Sequence, residues 1–526
     1  MMVLPQIQSD VPKTKRELMA LRGLNWSDDT QEGDLRHCRN LSARRWPYLS
    51  TRRGRERQKK DKDNAYAGVT ALTAWGALIA VEGTRLLYDG AVVGTVTAGE
   101  KQFAVVNTKL VIWPDKVYLD MPSRTLKPLG AKVSGAGAVF TKNAVTVTGW
   151  GDLTQQFKVG DAVEITGCTA AAENNKSVSV RGVTASTLLT TDNAFTEATE
   201  TGEVTVERKV PDLDFICESE NRLWGCSSAK QTIYASALGD PTNFYAYDGL
   251  STDAYAVAVG SEGDFTGCIK LSSSVLFWKE TQLHKMLGSF PAEYSLYTYH
   301  LEGLKAGCHK SMQVINETLF YVGIHGVYAF TGGTPALISG CFGDRRLSQA
   351  VGGNDGDSYY LSAVDEAGQT QFLVYETKQG IWLREDATRA VDFARIGARV
   401  YYLDAAGGGV WLCDSGADDP DIVWEAQFTP LYEGGKQKNG TAVTGRKQYG
   451  RLILRLEVPR GSYLTAQVRM DGGIWRDAGK IVGREENAFS LRLPVNRCDK
   501  FELRLEGKGP CTVLSAVREY ALWSDV

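Results

Sequence analysis

Few residues in this chain are spaced for catalysis. Ten cysteines stand at 38, 168, 217, 226, 268, 308, 341, 413, 498 and 511. None forms a Cys-x-x-Cys pair, and most sit in apolar, strand-like runs such as Phe215-Ile216-Cys217 and Trp411-Leu412-Cys413. Zinc wants clustered Cys and His ligands. The five histidines (37, 284, 300, 309 and 325) do not supply them, and the adjacent pairs His37-Cys38 and Cys308-His309 are isolated. The cysteines read as free, buried thiols of a protein made in a reducing compartment. No Gly-x-x-x-x-Gly-Lys-Ser/Thr loop, Gly-x-Ser-x-Gly elbow or His-Glu-x-x-His pair occurs. The glycine run 407–409 lies between Leu403 and Trp411 and reads as a turn. Acidic pairs (Asp28-Asp29, Glu218/Glu220, Asp418-Asp419) fall in turn-like contexts. A glycosidase needs two carboxylates facing a cleft, which spacing alone neither supplies nor removes. Asp418-Asp419-Pro420-Asp421 lacks calcium-loop spacing and reads as a solvated linker. No catalytic, cofactor-binding or metal-binding residue is assigned, and the expectation is a protein that is not an enzyme and needs no cofactor.

One segment carries a physical argument for a partner. Between Arg36 and Lys62 stand eleven Lys/Arg against two acidic residues, Glu56 and Asp61. Such a stretch attracts phosphates or an acidic neighbouring subunit, and it reads as lying extended on a surface; a merely solvated tail is the plainer alternative. Trp46-Pro47-Tyr48-Leu49 within it favours docking, because apolar aromatics in an otherwise unpackable segment seek a surface. The candidate inter-subunit docking residues are Arg44, Arg45, Trp46, Tyr48, Arg52, Arg53, Arg55 and Arg57. Upstream, residues 13–21 read as a short helix ending at Gly23.

The elements that hold these residues are strands. A chain of 526 residues is too long for one core. Its 43 % hydrophobic and 23 % charged content is that of a folded, soluble protein. A net charge of −3 leaves any nucleic-acid surface local. No secretory signal and no membrane span is expected, since no apolar run approaches 18 residues. From about residue 65 a unit recurs: an apolar run, a short polar turn, then a second run carrying Tyr or Trp. Examples are 77–90, 103–119, 215–236, 319–330, 359–375 and 400–413. The runs are rich in aromatic and β-branched residues, which is strand chemistry. Hairpins at this spacing suit stacked propeller blades, six or seven in number; an irregular array of sandwiches is the structural alternative.

The fold class expected is mainly β: an irregular β-propeller with an inserted small β-barrel and a C-terminal β-sandwich. Residues 1–64 form the basic arm, 65–129 and 209–423 the propeller, 130–208 the barrel and 424–526 the sandwich. The barrel is read from Ala144-Val145-Thr146-Val147-Thr148 and from Phe157 through Gly160-Asp161 to Ile165. The sandwich is read from clean alternation in Arg451–Glu457 and Phe501–Glu506, with a hairpin turn at 470–475.

Two stretches also carry a family resemblance. Gly23-Leu24-Asn25-Trp26-Ser27-Asp28-Asp29, with Glu32-Gly33-Asp34, Arg39-Asn40-Leu41-Ser42 and Pro47-Tyr48-Leu49-Ser50-Thr51-Arg52, resembles the entry into the first blade of nozzle (tail hub) proteins of short-tailed bacteriophages. Thr232-Ile233-Tyr234-Ala235-Ser236, followed by Gly239-Asp240-Pro241-Thr242-Asn243-Phe244, resembles a blade strand of the same proteins. The Phe-x-Val-Gly-Asp-x-Val-x-Ile-x-Gly insert at 157–167 is similar to modules of phage structural proteins. The C-terminal sandwich has no counterpart in that pattern. The resemblance implies a ring of identical subunits, usually six. Such a ring extends the DNA-ejection channel below the portal and adaptor, lets genome DNA slide without sequence-specific binding, and docks fibres or other tail proteins. It places the protein in the virion tail, assembled in the host cytoplasm. A carbohydrate-binding or carbohydrate-cleaving propeller is the alternative, and a cytoplasmic scaffold a third.

Overall fold

The computed structural model describes residues 13–18, 21–433, 446–484, 487–494 and 497–522. Apart from single 3-10 turns, the elements among them are all strands. Seven four-stranded antiparallel sheets form the blades of a β-propeller. Blades 1 and 2 occupy 69–95 and 102–128; blades 3 to 6 occupy 215–258, 267–300, 313–337 and 347–386. Blade 7 takes three strands from 390–412, and its outer strand is Glu56–Arg57, antiparallel to Val410–Leu412. The ring is thereby closed by a segment that precedes blade 1 in the chain.

A four-stranded blade cannot bury both its faces alone, so the cores lie between blades. Ile79, Val81, Leu110 and Ile112 fill the gap between blades 1 and 2. Trp224, Phe277 and Met286 fill that between blades 3 and 4, and Leu72, Leu87, Tyr401 and Leu403 that between blades 7 and 1. Each such side chain contributes on the order of 1.5–3 kcal/mol by leaving water. Turn chemistry fixes the hairpins. Glu220-Asn221 and Asn316-Glu317 join the first two strands of blades 3 and 5 with φ near +50° to +60° at both residues, the type I′ pattern that matches strand twist. The glycine run 407–409 is indeed a turn, and a Cβ on Gly408 would lie 2.4 Å from Val69 N.

Residues 131–208 leave and re-enter the propeller between blades 2 and 3. They form two small sheets around Phe140, Val145, Phe157, Ile165, Leu188 and Val206. Their first and last strands, Ala131–Gly135 and Val204–Arg208, pair antiparallel, so the two ends of the insert lie side by side. The C-terminal sandwich packs a seven-stranded on a six-stranded sheet, with Trp424, Leu454, Leu464, Phe501 and Leu505 buried between them.

The N-terminal segment differs from the expectation of an extended arm. Lys13–Glu17 pairs antiparallel with Thr512–Leu522, and Asp34–Arg39 pairs with Val423–Phe428. Leu49–Thr51 adds to the first of these sheets through Val513 and Thr512. Residues 13–51 are therefore integral to both sheets of the sandwich before 56–57 enter blade 7. The short helix expected over 13–21 is corrected at its start to the strand Lys13–Glu17, while residues 19 and 20 lie outside the described residues. Propensity is a weak prior in so short a stretch, and the open edge of a long C-terminal strand offers it a full set of backbone partners.

Candidate functional site: the joints of the assembly

Two sets of polar side chains fix the sandwich and the barrel onto the propeller. At the first joint, the side chain of Arg55 is buried between blades 6 and 7. One guanidinium nitrogen lies 2.6 Å from Glu385 and the other 3.0 Å from Asp386, and the latter also donates to Tyr402 Oη at 3.2 Å. The group lies over the Phe372 ring at 4.5 Å. Burial opposes the charge of Arg55, but Glu385, Tyr402 and Asp386 outweigh it and hold the guanidinium pKa above the ordinary arginine value. Burial likewise opposes the charge of Asp386, yet Arg55 and the Thr388 N–H keep its pKa below the usual carboxylate range. Arg52 donates to Asn40 Oδ1 at 2.8 Å and lies 3.6 Å from Glu385. Asn40 in turn donates from its amide to Val423 O at 2.7 Å and from its backbone to Glu385 O at 2.6 Å. It thus ties arm, sandwich and blade 6 at one point. Gly23 packs so closely on blade 6 that a Cβ would sit 2.6 Å from Trp382 O, and its φ is +86°.

The eight residues expected to dock on a neighbour are placed mostly against their own chain. Arg53 faces Asp414 at 3.7 Å, Arg44 faces Asp418 at 3.1 Å, and Arg45 grips Glu457 and Thr512. Arg57 donates to Tyr66 O at 3.4 Å. Trp46 and Tyr48 stay 48 % and 42 % exposed, and the Trp46 indole donates to Leu21 O at 3.1 Å. The acidic partners lie more than 300 residues downstream, so sequence spacing carried no signal for them.

At the second joint the insert meets blade 3. Lys158 Nζ lies 2.9 Å from Asp240 and donates to Thr242 Oγ1 at 2.8 Å. Asn243 donates to Gly160 O at 2.7 Å. Asp240 is held below the usual carboxylate range because Lys158 and the Thr242 hydrogen bonds outweigh its burial. Asp248 extends the joint, accepting from Ser179 Oγ at 2.9 Å and lying 3.3 Å from Arg181. Inside the insert, Arg208 bridges the fully buried Asp161 at 2.5 Å and Leu129 O at 3.1 Å. The Gly239–Phe244 turn and the Phe157–Gly167 module, both singled out in the sequence, are thus two halves of one contact.

The propeller axis is crossed by a third cluster. Lys310, in the turn before blade 5, lies 3.1 Å from Glu100, between blades 1 and 2, and 3.4 Å from Asp392 of blade 7. Asp392 also accepts from Leu72 N–H of blade 1 at 3.0 Å. Burial raises the Asp392 carboxyl to about 6 despite Lys310, and burial lowers the neighbouring His309 to about 4. Among the described residues no group of three or more His, Cys, Asp and Glu side chains is arranged to hold a metal. No described helix is long and apolar enough to cross a membrane.

No family model and no curated protein matches the chain. Among solved structures it is similar to exo-β-1,3-galactanase from Phanerochaete chrysosporium, with 10 % identity over 56 % of this chain and 92 % of that one and a TM-score of 0.22. It is similar to U3-55K, with 7 % identity over 68 % and 97 % and a TM-score of 0.33. BamB from Moraxella catarrhalis aligns with 10 % identity over 69 % and 97 % and a TM-score of 0.27. Likeness at this level concerns the fold alone, and the chain is a mainly β protein of propeller type.

Proposed function

We propose that this chain is a structural subunit of a bacteriophage tail. In this reading it is one copy in a ring, six by the resemblance, that extends the DNA-ejection channel below portal and adaptor and carries fibres or other tail proteins. The observation that supports the reading is where the resembling stretches fall. Residues 23–52 stitch the sandwich to blade 6, with Gly23 and Asn40 at the contacts; residues 239–244 seat the insert. Residues whose work is to hold three folded units in fixed relation suit a part whose task is geometric. DNA passes through the ring of subunits in this reading, since each propeller's own axis is crossed by Lys310. A channel must let DNA slide, which suits an arm whose Arg44, Arg45, Arg52, Arg53 and Arg55 pair with Asp418, Glu457, Glu385, Asp414 and Asp386 of the same chain. Closed rings are built from head-to-tail contacts, so native mass spectrometry and negative-stain imaging, with and without a portal–adaptor complex, test the reading. The expected result is a ring with a central hole, formed alone or on the complex. A chain that stays monomeric and ignores the complex at every concentration overturns it.

A further inference from the structure

We infer that the cavity where the N-terminal segment meets blade 6 binds a neutral saccharide. This site is independent of the tail reading. The cavity holds about 330 Å³, at the small end of the ~300–1,000 Å³ typical of small-molecule sites. Leu24 and Trp382, both buried, line its apolar side. Trp46 forms a wall: its indole N–H is fixed on Leu21 O, while the side chain stays half exposed. Around it stand Arg22, Gln31 and Gln379. The two glutamine carbamoyl groups make no hydrogen bond among the described residues, and both side chains belong to exposed residues.

This combination selects for sugars on three grounds. A half-exposed indole offers an apolar face to the C–H side of a pyranose. The glutamine carbamoyl groups both donate and accept and the guanidinium donates, all in planar arrays that match vicinal hydroxyls. The two charged residues in its described lining, Arg22 and Asp34, compensate each other at 3.5 Å. Asp34 itself is occupied by the Asn25 amide at 2.8 Å and the Gln31 N–H at 2.6 Å. The site therefore has no net charge with which to prefer a phosphate or an ammonium ligand.

The test uses the purified full chain with maltose, cellobiose, lactose and N,N′-diacetylchitobiose, read by saturation-transfer difference NMR and tryptophan fluorescence. At least one disaccharide is expected to bind and to change tryptophan emission. Trp46→Ala should abolish that binding, and Gln379→Ala, in an exposed turn, should weaken it about fivefold through one lost hydrogen bond with an unchanged melting temperature. If Trp46→Ala does not fold, Gln379→Ala decides. Failure of all four sugars to bind the wild-type chain overturns the inference, as does undiminished binding in both variants.

Discussion

The arginines of residues 44–57 are alike in sequence and unlike in energetic weight. Arg44 makes its ion pair with Asp418 where both side chains are substantially exposed, and such pairs contribute at most about 1 kcal/mol. Arg55 is buried against Glu385 and Asp386, so its removal leaves two poorly hydrated carboxylates with only Arg52 nearby. Arg55→Ala should therefore destabilise the chain by about 3 kcal/mol or more and Arg44→Ala by less than about 1 kcal/mol, as measured by urea denaturation. Equal effects would contradict the burial argument. Asp392 gives the clearest pH signature. Its carboxyl titrates near 6 in the folded chain and near 3.8 without it, with Lys310, Glu100 and His309 the ionisable groups around it. Between those values the folded chain keeps a proton that the unfolded chain has released. The stability from this group is thus complete below about pH 4 and lost as pH rises through 6. Asn at this position cannot titrate. The stability of the wild type minus that of Asp392→Asn should fall by about 2–3 kcal/mol from pH 4 to pH 7, and a flat difference would refute the assignment.

At the scale of elements, the insert is a unit with its own core whose ends meet at the Ala131–Arg208 pair. Replacing 131–208 by a short Gly/Ser linker should leave the propeller folded, with its melting temperature within a few degrees of the parent, because ends already adjacent need little loop to join them. Collapse of the propeller would show that the Lys158–Asp240 joint is needed for folding rather than for placement. The insert was legible in the sequence because its hydrophobic alternation is local, and so were the blades: Tyr359–Leu361 and Phe372–Tyr375 pair within a few residues of a turn. The N-terminal segment was not. Its strands Lys13–Glu17 and Asp34–Arg39 have partners 386 to 508 residues away, in Thr512–Leu522 and Val423–Phe428, and Arg44, Arg45 and Arg55 meet acids 330 to 412 residues away. A run such as Arg52-Arg53-Gly54-Arg55 looks unburiable until Glu385 and Asp386 are beside it. Trp46 and Tyr48, read as docking residues, are 48 % and 42 % exposed.

The whole molecule is held by a weave rather than by a tether. The visible connection from propeller to sandwich is the segment 413–422, but the N-terminal residues 13–51 supply strands to both sandwich sheets and then hand the chain to blade 7. Deleting residues 1–58 would take away five sandwich strands and the strand that closes the ring. Loss of assembly in such a truncation would report unfolding, not loss of a docking arm, and ring formation is better probed with point variants. The weave also makes a prediction that a simple two-domain tether does not. A protease site inserted between Gly416 and Ala417, in an exposed loop, divides the chain into 1–416 and 417–526. In a tethered arrangement the sandwich fragment would diffuse away from the propeller after cleavage. Here the sandwich core is shared, with Leu24, Leu35 and Leu41 from the first fragment packed among Trp424, Leu454 and Phe501 from the second. The two fragments should therefore co-elute on gel filtration at the volume of the uncut chain and separate only in denaturant. Separation under native conditions would mean that the N-terminal strands add to the sandwich without being required for its union with the propeller.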